Sequence, residues 1–144
     1  MNEKVLLIAL GATVLLLIAF IAYRRMPRKL KNTYFVTKWR ELQRNCADRK
    51  NWPAALKGAD TLLDAALKKR RYKGKRMGAR LMAAQRQISD NDGIWAAHNL
   101  AKKLIAVVEG EKAVKLTKTQ VKESLESYKA TLTDLGAFRR EKKD

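Results

Sequence analysis

Residues 68–80, KKRRYKGKRMGAR, gather Lys68, Lys69, Arg70, Arg71, Lys73, Lys75, Arg76 and Arg80 around Tyr72, with no acid among them. One or two lysines are enough to offset the dipole at a helix C-terminus; eight cations in thirteen residues exceed that need. A phosphate backbone can lie along such a row while a base stacks on Tyr72, and lipid headgroups satisfy the same charges. The segment reads as a polyanion contact.

The other residues with chemical potential are few. Asp60 and Asp64 stand four apart on a predicted helix, a spacing that can serve acid/base work or hold a cation. Lys57 precedes Asp60 by three and Lys68 follows Asp64 by four, so helical ion pairs are the favoured reading, with Arg80 or Lys102 in reach from another helix. His98, the only histidine, shares a stripe with Ile94, Ala101 and Ile105 and is expected in the core, hydrogen-bonded to a neighbouring helix. Trp39, Trp52 and Trp95 are likewise expected to pack rather than stack bases. One histidine and one cysteine, Cys46, exclude a metal cluster of the usual kind and an internal disulfide. A Gly-rich phosphate loop and a nucleophile elbow are both missing. No catalytic residue, metal or cofactor is assigned.

Residues 5–23, VLLIALGATVLLLIAFIAY, carry no charge and at ~1.5 Å per residue span about 28 Å, the depth of a bilayer's hydrocarbon core. Arg24, Arg25, Arg28, Lys29 and Lys31 follow at once, against Glu3 and Lys4 before. That asymmetry predicts a retained single-pass anchor with the amino terminus outside and the rest in the cytoplasm. The formal net charge of +18 then sits beside an anionic inner leaflet. Residues 24–50 hold ten basic residues and two acids, which membrane apposition alone explains.

The elements that must position these groups all read as helix. Phe35, Trp39, Leu42 and Cys46 predict one over about 33–49. Asn51 as N-cap and Pro53 in the first turn open a second, to about Arg70, burying Leu56, Ala59, Leu63 and Ala66. Met77, Leu81, Ala84 and Ile88 mark a third over about 77–88. Ser89-Asp90-Asn91-Asp92 has capping-box spacing and opens a fourth through Ile94, His98, Ala101, Ile105 and Val108, ended by Gly110. Thr117 and Gln120 repeat the box before a fifth, which stops at Gly136. Short connections make neighbours antiparallel. The expected fold is all-α: a transmembrane helix and basic linker over 1–31, an up-and-down bundle of four to five helices over 32–136, and a charged tail over 137–144.

Trp52, the run Ala59 to Asp64, Gly74, Met77-Gly78, Leu81, Trp95, His98 and Tyr128 through Gly136 resemble a group of small helical proteins of candidate-phylum, Saccharibacteria-like bacteria. Many of these have one N-terminal membrane helix, and they are distantly similar to the HEPN domain. That resemblance implies a helical fold associated with RNA cleavage and nucleic-acid binding, with an Arg and a His along one helix. In register from Trp95, those positions here are Ala101 and Ala106, with Lys102 at the intervening Asn, so the resemblance implies a fold without its ribonuclease site. The expectation is a binding module rather than an enzyme, its partners the lipid bilayer and RNA or DNA. The rival is an assembly adaptor that docks a protein partner or a second copy at the membrane; a residual ribonuclease is the weakest reading.

Overall fold

The protein is described by a computed structural model over residues 2–26, 28–106 and 114–141, and every regular element among them is helical. Helix α1 (Glu3–Arg25) buries none of its side chains, and its mean hydropathy reaches 3.0, so one N-terminal helix is long and apolar enough to cross a membrane. The Thr13 hydroxyl donates back to the carbonyls of Ala9 (3.1 Å) and Leu10 (2.8 Å), which satisfies that polar group on the apolar surface.

The remainder is a bundle: α2 (Asn32–Asn45), a 3₁₀ turn (Arg49–Asn51), α3 (Trp52–Lys69), α4 (Met77–Ala84), α5 (Asn91–Ala106) and α6 (Lys118–Asp134). Helix α3 is its centre and packs against the other four. It can do so because its faces alternate small and large residues. Ala55, Ala59 and Ala66 let neighbours approach, while Leu56, Leu63 and Leu67 fill the spaces between, all at most 1% exposed. Tyr128, Phe35, Leu81, Ile94 and Leu132 complete the interior from the other helices. Burial of each such side chain contributes roughly 1.5–3 kcal/mol.

Contacts at the helix ends establish the antiparallel arrangement. Lys69, last in α3, lies over the rings of Tyr34 and Phe35 near the start of α2, while the Trp52 indole at the start of α3 donates to the Cys46 carbonyl just beyond α2. Ser89 and Asp90, before α5, bond Asp134 and Ser127 in the last part of α6.

The ends themselves correct several expectations. Helix α2 stops at Asn45, and the chain to α3 is a 3₁₀ turn capped by Asp48, whose carboxylate accepts the Lys50 N–H at 3.0 Å. Asn51 makes no cap bond, because it is already inside that turn. Helix α4 ends at Ala84, although Ile88 beyond it is still buried. Asp90, not Ser89, caps α5 by accepting the Gly93 N–H at 3.0 Å; Ser89 gives its N–H and hydroxyl to Asp134 instead. Ile94, His98 and Ala101 are buried as the stripe predicts, but Ile105 is 53% exposed and Leu104, expected to broaden that face, takes the last buried position. Val108 and Gly110 lie outside the described residues.

The Thr117–Gln120 capping box is present in both directions. Leu30, in the expected linker, and Ala137, in the expected tail, are buried, and Phe138 packs on Trp39 with ring centroids 5.8 Å apart.

Candidate polyanion-binding surface

The basic segment begins where α3 ends. Tyr72 N–H bonds the Leu67 carbonyl at 3.1 Å and Arg71 N–H bonds that of Lys68 at 2.9 Å, the paired closure of a Schellman motif. This closure needs a left-handed residue, and Arg71 supplies it at φ 63°. At the end of α6 the same pair of bonds closes around Gly136 at φ 84°. An arginine pays at that position what glycine does not, about 1–2 kcal/mol. Its side chain reaches across the molecule instead: the Arg71 guanidinium donates to the main-chain carbonyl of Arg24 in the last turn of α1. The cationic loop is thereby placed at the foot of the apolar helix, beside Arg25, Arg28, Lys29 and Lys31, which are all exposed.

The nine candidate residues of the segment separate into roles. Arg80 leaves the expected contact set, being 8% exposed and fully employed. Its Nε and Nη2 donate to Asp64 at 2.8 and 2.6 Å, and Nη1 donates to the Gly74 carbonyl at 2.7 Å. Gly74 lies so close to α4 that a Cβ there would stand 2.8 Å from the Arg80 backbone nitrogen; only glycine permits this approach. Tyr72 is half-buried: its hydroxyl donates to Gln87 at 2.6 Å and its ring packs against the core. Arg70 shares the Gln87 acceptor at 3.3 Å. Lys68 pairs with Asp64 at 2.8 Å, and Lys69 rests on two aromatic rings. Lys73, Lys75 and Arg76 are exposed, and among the described residues no acid pairs with them.

Asp64 is therefore the counter-charge that anchors the loop. Burial pushes its carboxyl up, but hydrogen bonds and charge from Lys68 and Arg80 outweigh that and hold it below the ordinary carboxylate value. The expected ion pairing of Asp64 is found; that of Asp60 with Lys57 is not. Asp60 turns into the core, 7% exposed, where its Oδ1 accepts the Tyr128 hydroxyl at 2.8 Å and lies 2.9 Å from His98 Nδ1. His98 is thus the buried, bonded imidazole its stripe predicts. Burial and the Asp60 carboxylate drive the Tyr128 phenol far above its ordinary value, so it stays a proton donor at all working pH.

Sequence reasoning missed Tyr128 as a partner of Asp60 and Gln87 as the acceptor for Tyr72. A signal for the first existed: Asp60, His98 and Tyr128 each put a polar group on an otherwise apolar stripe, and buried polar groups must find one another. No local pattern signals the second. Among the described residues no group of three or more His, Cys, Asp or Glu side chains could hold a metal.

Comparison with family models, with curated proteins and with solved structures finds no match to this chain, so the HEPN-like resemblance rests on the residues quoted for it.

Proposed function

We propose that this protein is a single-pass membrane protein, amino terminus outside, whose basic bundle binds the anionic headgroups of the leaflet it emerges from. The distribution of free cations carries this reading: Arg25, Arg28, Lys29 and Lys31 follow the apolar helix directly and are exposed, and Lys73, Lys75 and Arg76 are exposed with no acid paired to them among the described residues. Each cation near an anionic surface contributes about 1 kcal/mol, so the collar and the loop together hold the bundle in one pose against lipid. Binding, not catalysis, is the activity: the positions that the resemblance makes catalytic are Ala101, buried against the core, and Ala106, and neither can move a proton. A nucleic acid can use the same charges, so RNA is the competing ligand in the test that follows.

Hydrogen exchange on the full chain in lipid nanodiscs tests the reading. Replacing zwitterionic with anionic lipid is expected to slow exchange across residues 72–76, and a Lys73→Gln, Lys75→Gln, Arg76→Gln variant is expected to lose that effect while keeping its fold. Equal exchange in both lipids would reject the leaflet as the partner, and protection by added RNA instead would assign the surface to nucleic acid.

A further inference from the structure

Helices α2 and α6 both pack on α3, and between them runs a groove of about 370 Å³. Trp39 lines it from α2, Val121 and Leu125 from α6, and Trp52 from the start of α3, with Cys46 just beyond α2. An apolar and aromatic lining of this size, with a few polar groups, is the ordinary make-up of a small-molecule site, whose volume runs from ~300 to 1,000 Å³.

One polar group in that lining is unspent. Trp39 is 7% exposed, and its indole N–H is buried with no hydrogen-bond partner among the described residues. Trp52 shows the usual arrangement, its indole donating to the Cys46 carbonyl at 3.0 Å. A buried donor without an acceptor is destabilising, and folded proteins rarely keep one. Phe138, which packs on the Trp39 ring, has no acceptor to give, so one must come from the groove. The charges around it say of what kind. Lys118, Lys122 and Lys129 line the groove against the single acid Glu126, which lies 4.0 Å from Lys122. Lys118 and Lys129 have no acid partner among the described residues, and Arg49 stands 5.5 Å from the centre of the Trp52 ring. Burial pushes the Cys46 thiol up, so it adds no negative charge.

We propose that the groove between α2 and α6 binds a small aromatic carboxylate. The ring packs among the two indoles, Val121 and Leu125, where aromatic pairs add to the gain from burial. A carboxylate oxygen accepts the Trp39 N–H, and the charge lies in the field of the lysines. An alcohol of the same shape keeps the packing and forgoes the charge. An ammonium has no lone pair for the indole and meets like charge. None of these residues belongs to the juxtamembrane collar or to segment 68–80, so the site stands whether or not the collar engages the leaflet.

The full chain in zwitterionic nanodiscs offers two reporters inside the groove: the Trp39 indole proton, assigned by its loss in Trp39→Phe, and Cys46, the single thiol. With 2-naphthoate as probe at about pH 7, where a carboxylate is ionised, the Trp39 indole proton is expected to move downfield saturably as its N–H gains an acceptor. Alkylation of Cys46 is expected to slow over the same concentration range. 2-Naphthylmethanol is expected to bind roughly tenfold more weakly, and 2-naphthylmethylamine and acetate to leave both signals in place. Lys118→Gln with Lys129→Gln changes two exposed side chains, so the fold is expected to hold while naphthoate affinity falls severalfold and that of the alcohol does not. Trp39→Phe keeps a ring but not the donor, and is expected to weaken naphthoate more than the alcohol, read by protection of Cys46.

A Trp39 indole proton that already stands at a bonded position and is unmoved by naphthoate would mean that water satisfies the donor, and would overturn the proposal. Equal responses to the acid, the alcohol and the amine would reduce the groove to a patch without selectivity and overturn it as well. So would a response to acetate that matches naphthoate, since surface lysines alone would then explain it. Should Trp39→Phe fail to fold, the lysine pair decides: naphthoate affinity unchanged in that variant rejects the assignment of a carboxylate.

Discussion

The guanidinium of Arg71 holds the main-chain carbonyl of Arg24 across a separation of 47 residues. This bond joins the strained end of α3 to the last turn of the apolar helix. Arginine at a position made for glycine is destabilising on its own, and the paired closure at the end of α3 holds it there. The cost is local to Arg71, and the contact brings the basic loop to the last turn of α1.

Arg71→Gly is therefore expected to raise the stability of the bundle by about 1 kcal/mol, by relieving the left-handed conformation. The same change is expected to loosen the bundle relative to α1. Thermal melting of the full chain in nanodiscs measures the first effect. A fluorescence distance distribution between α1 and α3 measures the second. A less stable variant with an unchanged distribution would mean that the Arg24 contact outweighs the strain and orients nothing.

Asp64 gives the fold an acid limb. Its native pKa lies below the ordinary carboxylate value, so its contribution is complete above about pH 4 and is lost as pH falls through the depressed native value. Asp64→Asn should flatten the loss of stability between pH 4 and the more acidic range, roughly the interval between the two pKa values. Denaturant melts across that range measure it; a variant as acid-sensitive as the parent would assign the limb to another carboxylate.

In the buried network, Tyr128→Phe removes one of the two groups bonded to the Asp60 Oδ1 and is expected to cost about 1.5–3 kcal/mol. His98→Ala adds a cavity to a lost bond and is expected to cost about 1–3 kcal/mol. Each residue shares Asp60 with the other, so the double variant should fall short of the sum. Strict additivity would show that the carboxylate does not couple them.

Much of this architecture is legible from local pattern. Period 3.6 finds all five bundle helices, the Thr117–Gln120 pair is a true capping box, and Gly136 marks a left-handed stop. The errors fall where a side chain has a better distant partner than its local one. Ser89 has capping spacing, yet its hydroxyl bonds Asp134, 45 residues away, and Asp90 takes the cap. Asp60 has Lys57 in ion-pair register, yet the core offers His98 and Tyr128. In the candidate surface, charge density was readable, but which cations are free was not. That depends on Asp64 capturing Arg80 and on Gln87 capturing Arg70, and neither pairing has a sequence period.

Lysine acylation of the full chain in nanodiscs, read residue by residue in anionic and in zwitterionic lipid, measures the central claim most directly. Lys73 and Lys75 are the reporters, and Lys118, which lines a groove with Cys46 and Trp52 beside the junction of α2 and α3, is the internal reference. The account predicts that anionic lipid shields Lys73 and Lys75 at low salt, that shielding fades as salt screens the surface, and that Lys118 reacts alike throughout. Lys73 and Lys75 reacting as freely as Lys118 in anionic lipid at low salt would contradict it.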